Sequence, residues 1–483
     1  MAKHVETLVI GGGPAGLTTA YTLAKAGRGV TVLEMDPTYV GGISRTVDYK
    51  GFKVDIGGHR FASKSQEIVD LWNEILPDGL VDRPALSRIY YREKFYAYPL
   101  KAFEALANLG VWTAAKCTAS FGWAKLNPIT APTTFHQWVR NQFGETLFSI
   151  FFKTYAEKVW GMSCDEISAD WAGQRIKGLH LGAAILDGLK RSPKAPTESF
   201  RYPRKGPGMM WDACADKITA LGGEVRLGRK VDGLHYDKLA KIWTVSVTCA
   251  DGKKEIWTAN DVVSSAPIRE LMQSVSPTPI SVFHAGELMY RDFITVALIG
   301  KPKKALSDSS IYIHDPSVKA GRVQNFRAWS SEMIPDETST CLGLEYFCFE
   351  GDGLWVTSDE DLVAIAKREI GKIGLMDPAD VRDACVVRQH KAYPVYDDAY
   401  AEHIKMIRLD LKMHFPGLHL VGRNGMHKYN NQDHAMMTGV LTAENIVAGE
   451  AIHDVWEVSD EAGVSGVREA LGSLRPVAEK VAA

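Results

Sequence analysis

The residues Gly11-Gly12-Gly13-Pro14-Ala15-Gly16 stand directly behind a short β-type run, Thr7-Leu8-Val9-Ile10. A turn this rich in glycine brings main-chain N–H groups up to a phosphate, because no Cβ stands in the way. Gly11 permits the tight turn, Gly13 lets the backbone approach a pyrophosphate, and Gly16 lets the following helix pack closely on the strand. Pro14 and Ala15 lead into that helix, whose N-terminal end offers free N–H groups and a partial positive charge to the same phosphates. The helical pattern runs from Leu17 to Ala26, a second strand spans Val30 to Leu33, and Glu34 follows 18 residues after Gly16. A carboxylate there accepts hydrogen bonds from a ribose. The pattern predicts dinucleotide binding, and a purely structural turn would leave the placing of Glu34 to coincidence.

The elements that must carry this site return later in the chain. Gly223 to Leu227 reads as a strand leading into a second one at Lys230 to Leu234. Trp243 to Cys249 alternates, turns at Asp251-Gly252 and resumes at Lys254 to Thr258 as a hairpin. Asp261 to Ser265 and Leu418 to Val421 are further buried-strand candidates, the second followed by Gly422-Arg423 and a helix from about His434 to Ala448. Two long stretches richer in aromatic residues lie between these returns. The expected architecture is α/β: a discontinuous Rossmann-like dinucleotide-binding domain (1–95, 196–275 and 391–450) and a discontinuous mixed α+β substrate domain (96–195 and 276–390), with a polar tail at 451–483. At 483 residues the chain is too long for one ordinary core, which agrees with that division.

Composition narrows the class. Hydrophobic residues are 46% and charged residues 24%, the balance of a folded globular protein, and the formal charge of -2 gives no field that recruits nucleic acid. Seven widely spaced cysteines without a CxxC pair fit reduced thiols and a cytoplasmic location, and neither a disulfide framework nor a metal site. The opening Met-Ala-Lys runs straight into a strand rather than a leader, and no apolar stretch is long enough to span a bilayer. Leu100 to Lys125, rich in Ala, Leu and Trp with scattered Lys, reads as an amphipathic helix covering a protein core or lying flat on a membrane.

Two further runs fix the cofactor. Gly41-Gly42-Ile43-Ser44-Arg45-Thr46 and Asp55-Ile56-Gly57-Gly58-His59-Arg60 resemble the second and third signatures of the flavoprotein amine-oxidase superfamily. The resemblance implies FAD, with Gly42, Ser44 and Arg45 at the pyrophosphate and Gly57, Gly58 and His59 beside the isoalloxazine ring. It also implies Val231 at the adenine, and Gly422 and Arg423 at the C-terminal return to the flavin, where Asn431 and Gln432 follow. There is one GxGxxG turn and so no separate nicotinamide domain. A reductant, NAD(P)H or a redox protein, would have to reach the flavin site itself.

Within that superfamily, residues 5 to 450 are similar to the UDP-galactopyranose mutase family. Tyr155-Ala156-Glu157-Lys158-Val159-Trp160-Gly161 resembles the segment that sets an indole beside flavin and sugar. Trp171-Ala172-Gly173-Gln174-Arg175 and the position of Arg322 resemble the sites of that family's two diphosphate arginines, and Tyr393 and Tyr429 fall where tyrosines help hold the diphosphate. The implied activity works through flavin N5 on a nucleotide- or lipid-diphosphate-linked sugar, a small-molecule substrate. Paired arginines suit a diphosphate because each guanidinium makes forked, charge-assisted hydrogen bonds. Each assignment has a plainer rival: Trp160 as a core tryptophan, Arg175 as a surface arginine, Arg327 in place of Arg322, Tyr393 as a turn aromatic, and Asp433 and His434 as helix capping, with His427 and Lys428 on the surface. The chain also departs from the mutase pattern at Leu100-Lys101, Ser310 and Ala62. That leaves open a second reading, an FAD-dependent oxidoreductase of amine-oxidase or protoporphyrinogen-oxidase type that dehydrogenates a small or lipid-like substrate.

Overall fold

The structure, a computed structural model, describes residues 2–98, 108–169 and 199–458. Its opening strand Lys3–Ile10 is the hub of an eight-stranded sheet. It pairs in parallel with Val30–Leu33 on one side and with Lys254–Ser264 on the other. Glu224–Arg226 extends the parallel set beyond Val30–Leu33, and Leu418–Leu420 pairs in parallel with the far end of Lys254–Ser264. The helix Pro14–Lys25 packs on this sheet beside Gln432–Ala448 and Gly208–Ala220. Leu17, Ala20, Leu23, Trp211, Met436 and Val440 fill the space between them. This is the expected α/β arrangement, a mixed sheet whose central strands are parallel, with helices packed on it.

One strand differs from the sequence reading. The two candidates 254–258 and 261–265 are a single strand, Lys254–Ser264. Its first half pairs antiparallel with Ile242–Cys249, its second half pairs with Leu418–Leu420, and Lys3–Ile10 lies along its other edge. Asn260, an ordinary strand breaker, is carried through by its neighbours, since Lys3–Ile10 pairs with Ala259 on one side of it and Asp261 on the other.

The second sheet has seven strands. In spatial order they are Met376–Pro394, Tyr290–Pro302, Thr340–Cys348, Arg322–Asn325, Ser310–Ile313, Ser87–Tyr91 and Lys94–Ala97. Strand alternation sorts its side chains. Ile294, Val296, Leu298, Ile311, Ile313, Val323, Leu342, Leu344 and Tyr346 face the helix Asp359–Ile373 and form one core with Leu362, Ala366 and Ile370. Tyr312, Arg322, Gln324 and Glu345 occupy the intervening positions and face the other way. Because both Ser87–Tyr91 and Lys94–Ala97 belong to this sheet, we propose a domain boundary ahead of Ser87 rather than at residue 96.

A helical subdomain closes the far side of the site. Val111–Leu126, Phe135–Phe143 and Thr154–Trp160 pack through Cys117, Phe135, Val139, Phe143, Phe148 and Phe151. All seven cysteines are unpaired, six of them buried. Among the described residues no helix is long and apolar enough to cross a membrane, and no cluster of His, Cys, Asp or Glu has metal-site geometry.

Candidate active site

The glycine turn has the geometry its spacing predicts. Gly11 sits at φ 97°, a conformation that glycine adopts without strain. A Cβ on Gly16 would stand 2.0 Å from the Gly11 carbonyl oxygen, so helix and turn meet without room for any side chain. Gly13 is different, since the nearest atom to a Cβ there is the Gly42 Cα at 3.9 Å. Space above the Gly13 backbone is therefore open, and no side chain caps the helix that starts at Pro14. The Glu34 carboxylate accepts from the Gly12 N–H at 2.6 Å and the Asp36 N–H at 2.8 Å. Burial raises its pKa, partly offset by these two hydrogen bonds.

The second glycine run lies against the first. The Gly41 N–H donates to the Gly12 carbonyl at 2.7 Å, and Gly42–Ser44 makes one 3₁₀ turn with Ser44 buried. Arg45 is tethered to the Gly42 carbonyl, Gln389 and Asp36. Pro14 and Ala15 open the helix facing this turn, and a Cβ on Gly422 (φ 74°) would stand 2.8 Å from that of Ala15. Val231 lies opposite Val247, on a strand whose first N–H, that of Arg229, donates to the Glu34 carbonyl at 2.7 Å. Gln432, at the head of the helix Gln432–Ala448, is buried with both amide atoms unpartnered. An open pyrophosphate approach over Gly13, a ribose carboxylate at Glu34 and a hydrogen-bonding amide at Gln432 fit FAD.

Asn431 is occupied differently. Its side chain forms a reciprocal cap with His434 at the start of that helix, so the capping rival holds for His434. His427 and Lys428 are not surface residues. The chain turns inward at His427 (φ 47°), which is buried against the Tyr290 ring and bonded to the Val395 carbonyl at 3.1 Å. Lys428 Nζ donates to the carbonyls of Trp456 and Val458.

The loop Asp55-Ile56-Gly57-Gly58-His59-Arg60 crosses the polar face of the second sheet. Tyr312 stands directly opposite Arg322 in the ladder, and Arg322 directly opposite Glu345. Cross-strand neighbours on one face interact. Here Arg322 Nε donates to Glu345 Oε2, and Gln324 Nε2 donates to Glu345 Oε1 at 3.0 Å. A Cβ on Gly57 would lie 3.7 Å from His59 Nε2, 3.8 Å from Arg322 Nη2 and 3.9 Å from the Tyr393 hydroxyl, so three expected residues converge beneath one glycine. Gly58 lies flush on Gln324 and Trp329, with 2.8 Å and 3.2 Å to a Cβ.

Charge in this centre is largely set by burial. His59 donates through Nε2 to the Ile56 carbonyl at 2.8 Å. Burial, then the Arg423 and Arg322 guanidiniums, push its pKa down to about 4, so the imidazole is neutral. Burial, the largest single influence, would lower Arg322, but Glu345 together with Tyr312, Tyr393 and Tyr155 outweighs it and holds the guanidinium charged. Burial likewise raises the Tyr393 hydroxyl, keeping it a donor. Tyr393 and Tyr429 stack at 5.4 Å, and Arg423 caps both rings at 5.3 and 4.8 Å. Trp160, fully buried, meets Tyr429 edge-on at 6.1 Å. Its helix ends at Gly161 (φ 67°) and is tied to Ser310–Ile313 by Lys158, whose Nζ donates to the Ile313 and Asp315 carbonyls at 3.0 and 2.6 Å.

The structure thus gathers His59, Trp160, Arg322, Tyr393 and Tyr429 in one place. Arg327 is elsewhere, bonded to the Asp336 and Ser339 carbonyls. Arg175 lies outside the described residues. Glu345, Gln324, Tyr312 and Tyr155 were missed as site residues. For Glu345 a signal existed: one acid in the otherwise apolar run Thr340–Cys348, which a buried strand holds only if the acid is paired. Two guanidiniums, the protonated Tyr393 hydroxyl and a neutral imidazole beside the buried Glu345 carboxylate make, among the described residues, a net cationic pocket with several donors, suited to an anionic group.

The profile of the family described as flavin containing amine oxidoreductase matches residues 14–447. Among solved structures, a reduced UDP-galactopyranose mutase is similar at TM-score 0.82 and 22% identity, covering 96% of this chain and 97% of that one. A protein described as a protoporphyrinogen oxidase, from Exiguobacterium sp. 255-15, is similar at 0.72 and 17%, covering 93% and 100%. A putrescine oxidase bound to putrescine is similar at 0.59 and 17%, covering 93% and 100%. An uncharacterised protein in the nifH2 3' region of Methanothermococcus thermolithotrophicus is 46% identical over 55 residues, 11% of this chain. The chain spans about half the length of that curated relative, 52%.

Proposed function

This chain belongs to the flavin-containing amine oxidoreductase family and is an FAD-dependent flavoenzyme, and from that premise we propose that it acts, in the manner of a mutase, on a diphosphate-linked sugar. The observation that carries the reading is Arg322, pinned at Nε by Glu345 while Nη2 turns toward Gly57, His59 and the Tyr393 hydroxyl. Pinning costs the guanidinium its freedom before substrate arrives, so less entropy is lost on binding. The free edge of Arg322 and the Tyr393 hydroxyl donate to a diphosphate, and Arg175 is the proposed second arginine.

When bound beside Gly57, Gly58 and His59, reduced FAD would supply a nucleophilic nitrogen, N5, for displacement of the diphosphate at a sugar's anomeric carbon. This chain's own residues do the positioning. Gly57 and Gly58 keep the main chain thin where a flat ring must pass, and neutral His59 adds no charge that would compete with the diphosphate. Trp160 and Tyr429 form an apolar wall that excludes water from the reacting carbon. Likeness to the mutase structure supports the scaffold, and the arginine–tyrosine arrangement supports the substrate class.

A second reading, dehydrogenation of an uncharged substrate, is favoured by Glu345, which already balances Arg322, and by Ser310 on the wall of the pocket. To separate the two, the holoenzyme is reduced anaerobically and incubated with UDP-galactopyranose, other nucleotide sugars and lipid-linked sugars, with products followed by mass spectrometry. Ring-isomerised product, lost in Arg322→Met and Arg175→Met, supports the proposal. Failure with every sugar, together with bleaching of the oxidised enzyme by an uncharged substrate, would sink it.

A further inference from the structure

We propose that the helix Val111–Leu126 docks flat on an anionic lipid bilayer, as an in-plane anchor for the whole enzyme. The inference is independent of which substrate the flavin site takes.

The helix is anchored by one face only. Cys117 and Ala124 are its buried residues, and Cys117 belongs to the cluster that also holds Phe135, Val139, Phe143 and Trp160. A Cβ on Gly144 would stand 2.7 Å from the Phe121 nitrogen, so the helix sits flush on the turn beneath it. With 100° between successive residues, the opposite arc carries Val111, Trp112, Ala115, Ala119, Gly122, Trp123 and Leu126. The four large ones are exposed to 83%, 85%, 64% and 81% in chain order. An ordinary surface helix puts its polar residues there. This one turns its apolar stripe to the outside and has none of the usual charged cover.

Charge chooses the occupant. Lys116 and Lys125 flank the stripe on its two sides, both exposed. Lys125 bonds the Asn141 carbonyl at 2.9 Å and still reaches solvent. No Asp or Glu occurs anywhere between Glu104 and Glu145, in a chain with 58 acidic residues. A second copy across a twofold axis would set these lysines against their own copies with no acid to pair them. Anionic headgroups match the lysine border, tryptophans settle at the headgroup level, and the aliphatic residues reach the acyl boundary. At 16 residues the helix is too short to span.

The test is flotation of the FAD-loaded full-length enzyme with phosphatidylcholine vesicles, with and without phosphatidylglycerol, at low and high salt. Binding to the anionic vesicles, weakened by salt, is expected. Trp112→Ala with Trp123→Ala lowers the partition coefficient by about a hundredfold, taking roughly tenfold for each immersed ring. Lys116→Gln with Lys125→Gln lowers it by about twenty-five-fold, roughly fivefold for each lysine. Bound-flavin absorbance and melting temperature should stay within about a degree or two in both variants, because Trp112, Trp123 and Lys116 are exposed and the single exposed bond of Lys125 to the Asn141 carbonyl contributes little. Enzyme that stays unbound at every salt overturns the proposal, as does equal binding to neutral vesicles. So does a lipid-free dimer, by sedimentation velocity, that the tryptophan substitutions dissolve.

Discussion

Glu345→Gln isolates the ion pair on which the site is built. The carboxylate has no solvent exposure, and the Arg322 side chain beside it is largely buried, with 15% exposed. Two unit charges roughly 4 Å apart attract by about 4 kcal/mol at the effective dielectric of such a place. Removing one partner leaves the other buried and uncompensated, at a cost of about 3–5 kcal/mol. Glutamine keeps the shape but turns one acceptor into a donor, so either Arg322 Nε or Gln324 Nε2 then faces another N–H. Urea unfolding of the holoenzyme should therefore show Glu345→Gln less stable by about 3–5 kcal/mol. Removing both charges, in Glu345→Gln with Arg322→Met, should cost less than the sum of the single changes, with a coupling of at least about 2 kcal/mol. If Arg322 meets a diphosphate, UDP should raise the melting temperature of Glu345→Gln more than that of the wild type, because the ligand then supplies the missing charge. A single-variant loss under about 1 kcal/mol, or additivity within about 0.5 kcal/mol, would refute the pairing argument.

Other expectations follow from single groups. Gly16→Ala drives a methyl into the Gly11 carbonyl and should yield protein with no bound flavin, whereas Gly13→Ala meets only the Gly42 Cα, at an ordinary 3.9 Å, and should fold normally but release FAD more readily; apo-protein melting and flavin titration distinguish them. Burial pushes the Asp55 carboxyl up to about 7, against hydrogen bonds from Tyr202 and Thr46 that pull it down. A raised carboxyl binds its proton more tightly in the folded state, so the stability it contributes is full below pH 3.8 and falls as pH rises toward 7, by about 4 kcal/mol in all. Asp55→Asn, which keeps both contacts if the Tyr202 hydroxyl turns to accept, should flatten urea midpoints between those two pH values. His59 should show no ionisation above pH 5, so the activity–pH profile of His59→Gln should parallel the wild type there, at whatever rate remains.

Local patterns determined the FAD half of this protein. The glycine turn, its strand and helix, and Glu34 depend on neighbours within about 35 residues, and steric needs at that range are written in residue type. Gly57, Gly58, Gly422 and Gln432 came from the resemblance to the superfamily's signatures, and the last helix starts at Gln432 rather than at about His434. Period-two alternation likewise marked strands, although it split Lys254–Ser264 at Asn260 because it cannot see partners on both edges. The catalytic half was decided by tertiary structure. Arg322 and Arg327 are equivalent in sequence, and only the register against Thr340–Cys348 sets Arg322 opposite Glu345 and sends Arg327 to a loop carbonyl. His427 looked like a surface residue until a left-handed turn carried it inward, and His59 is neutral because folding buries it, with the guanidiniums of Arg423 and Arg322 adding to that effect. Such pairings join residues tens to hundreds of positions apart, so their energies exist only after the second sheet has formed and the elements around it have packed.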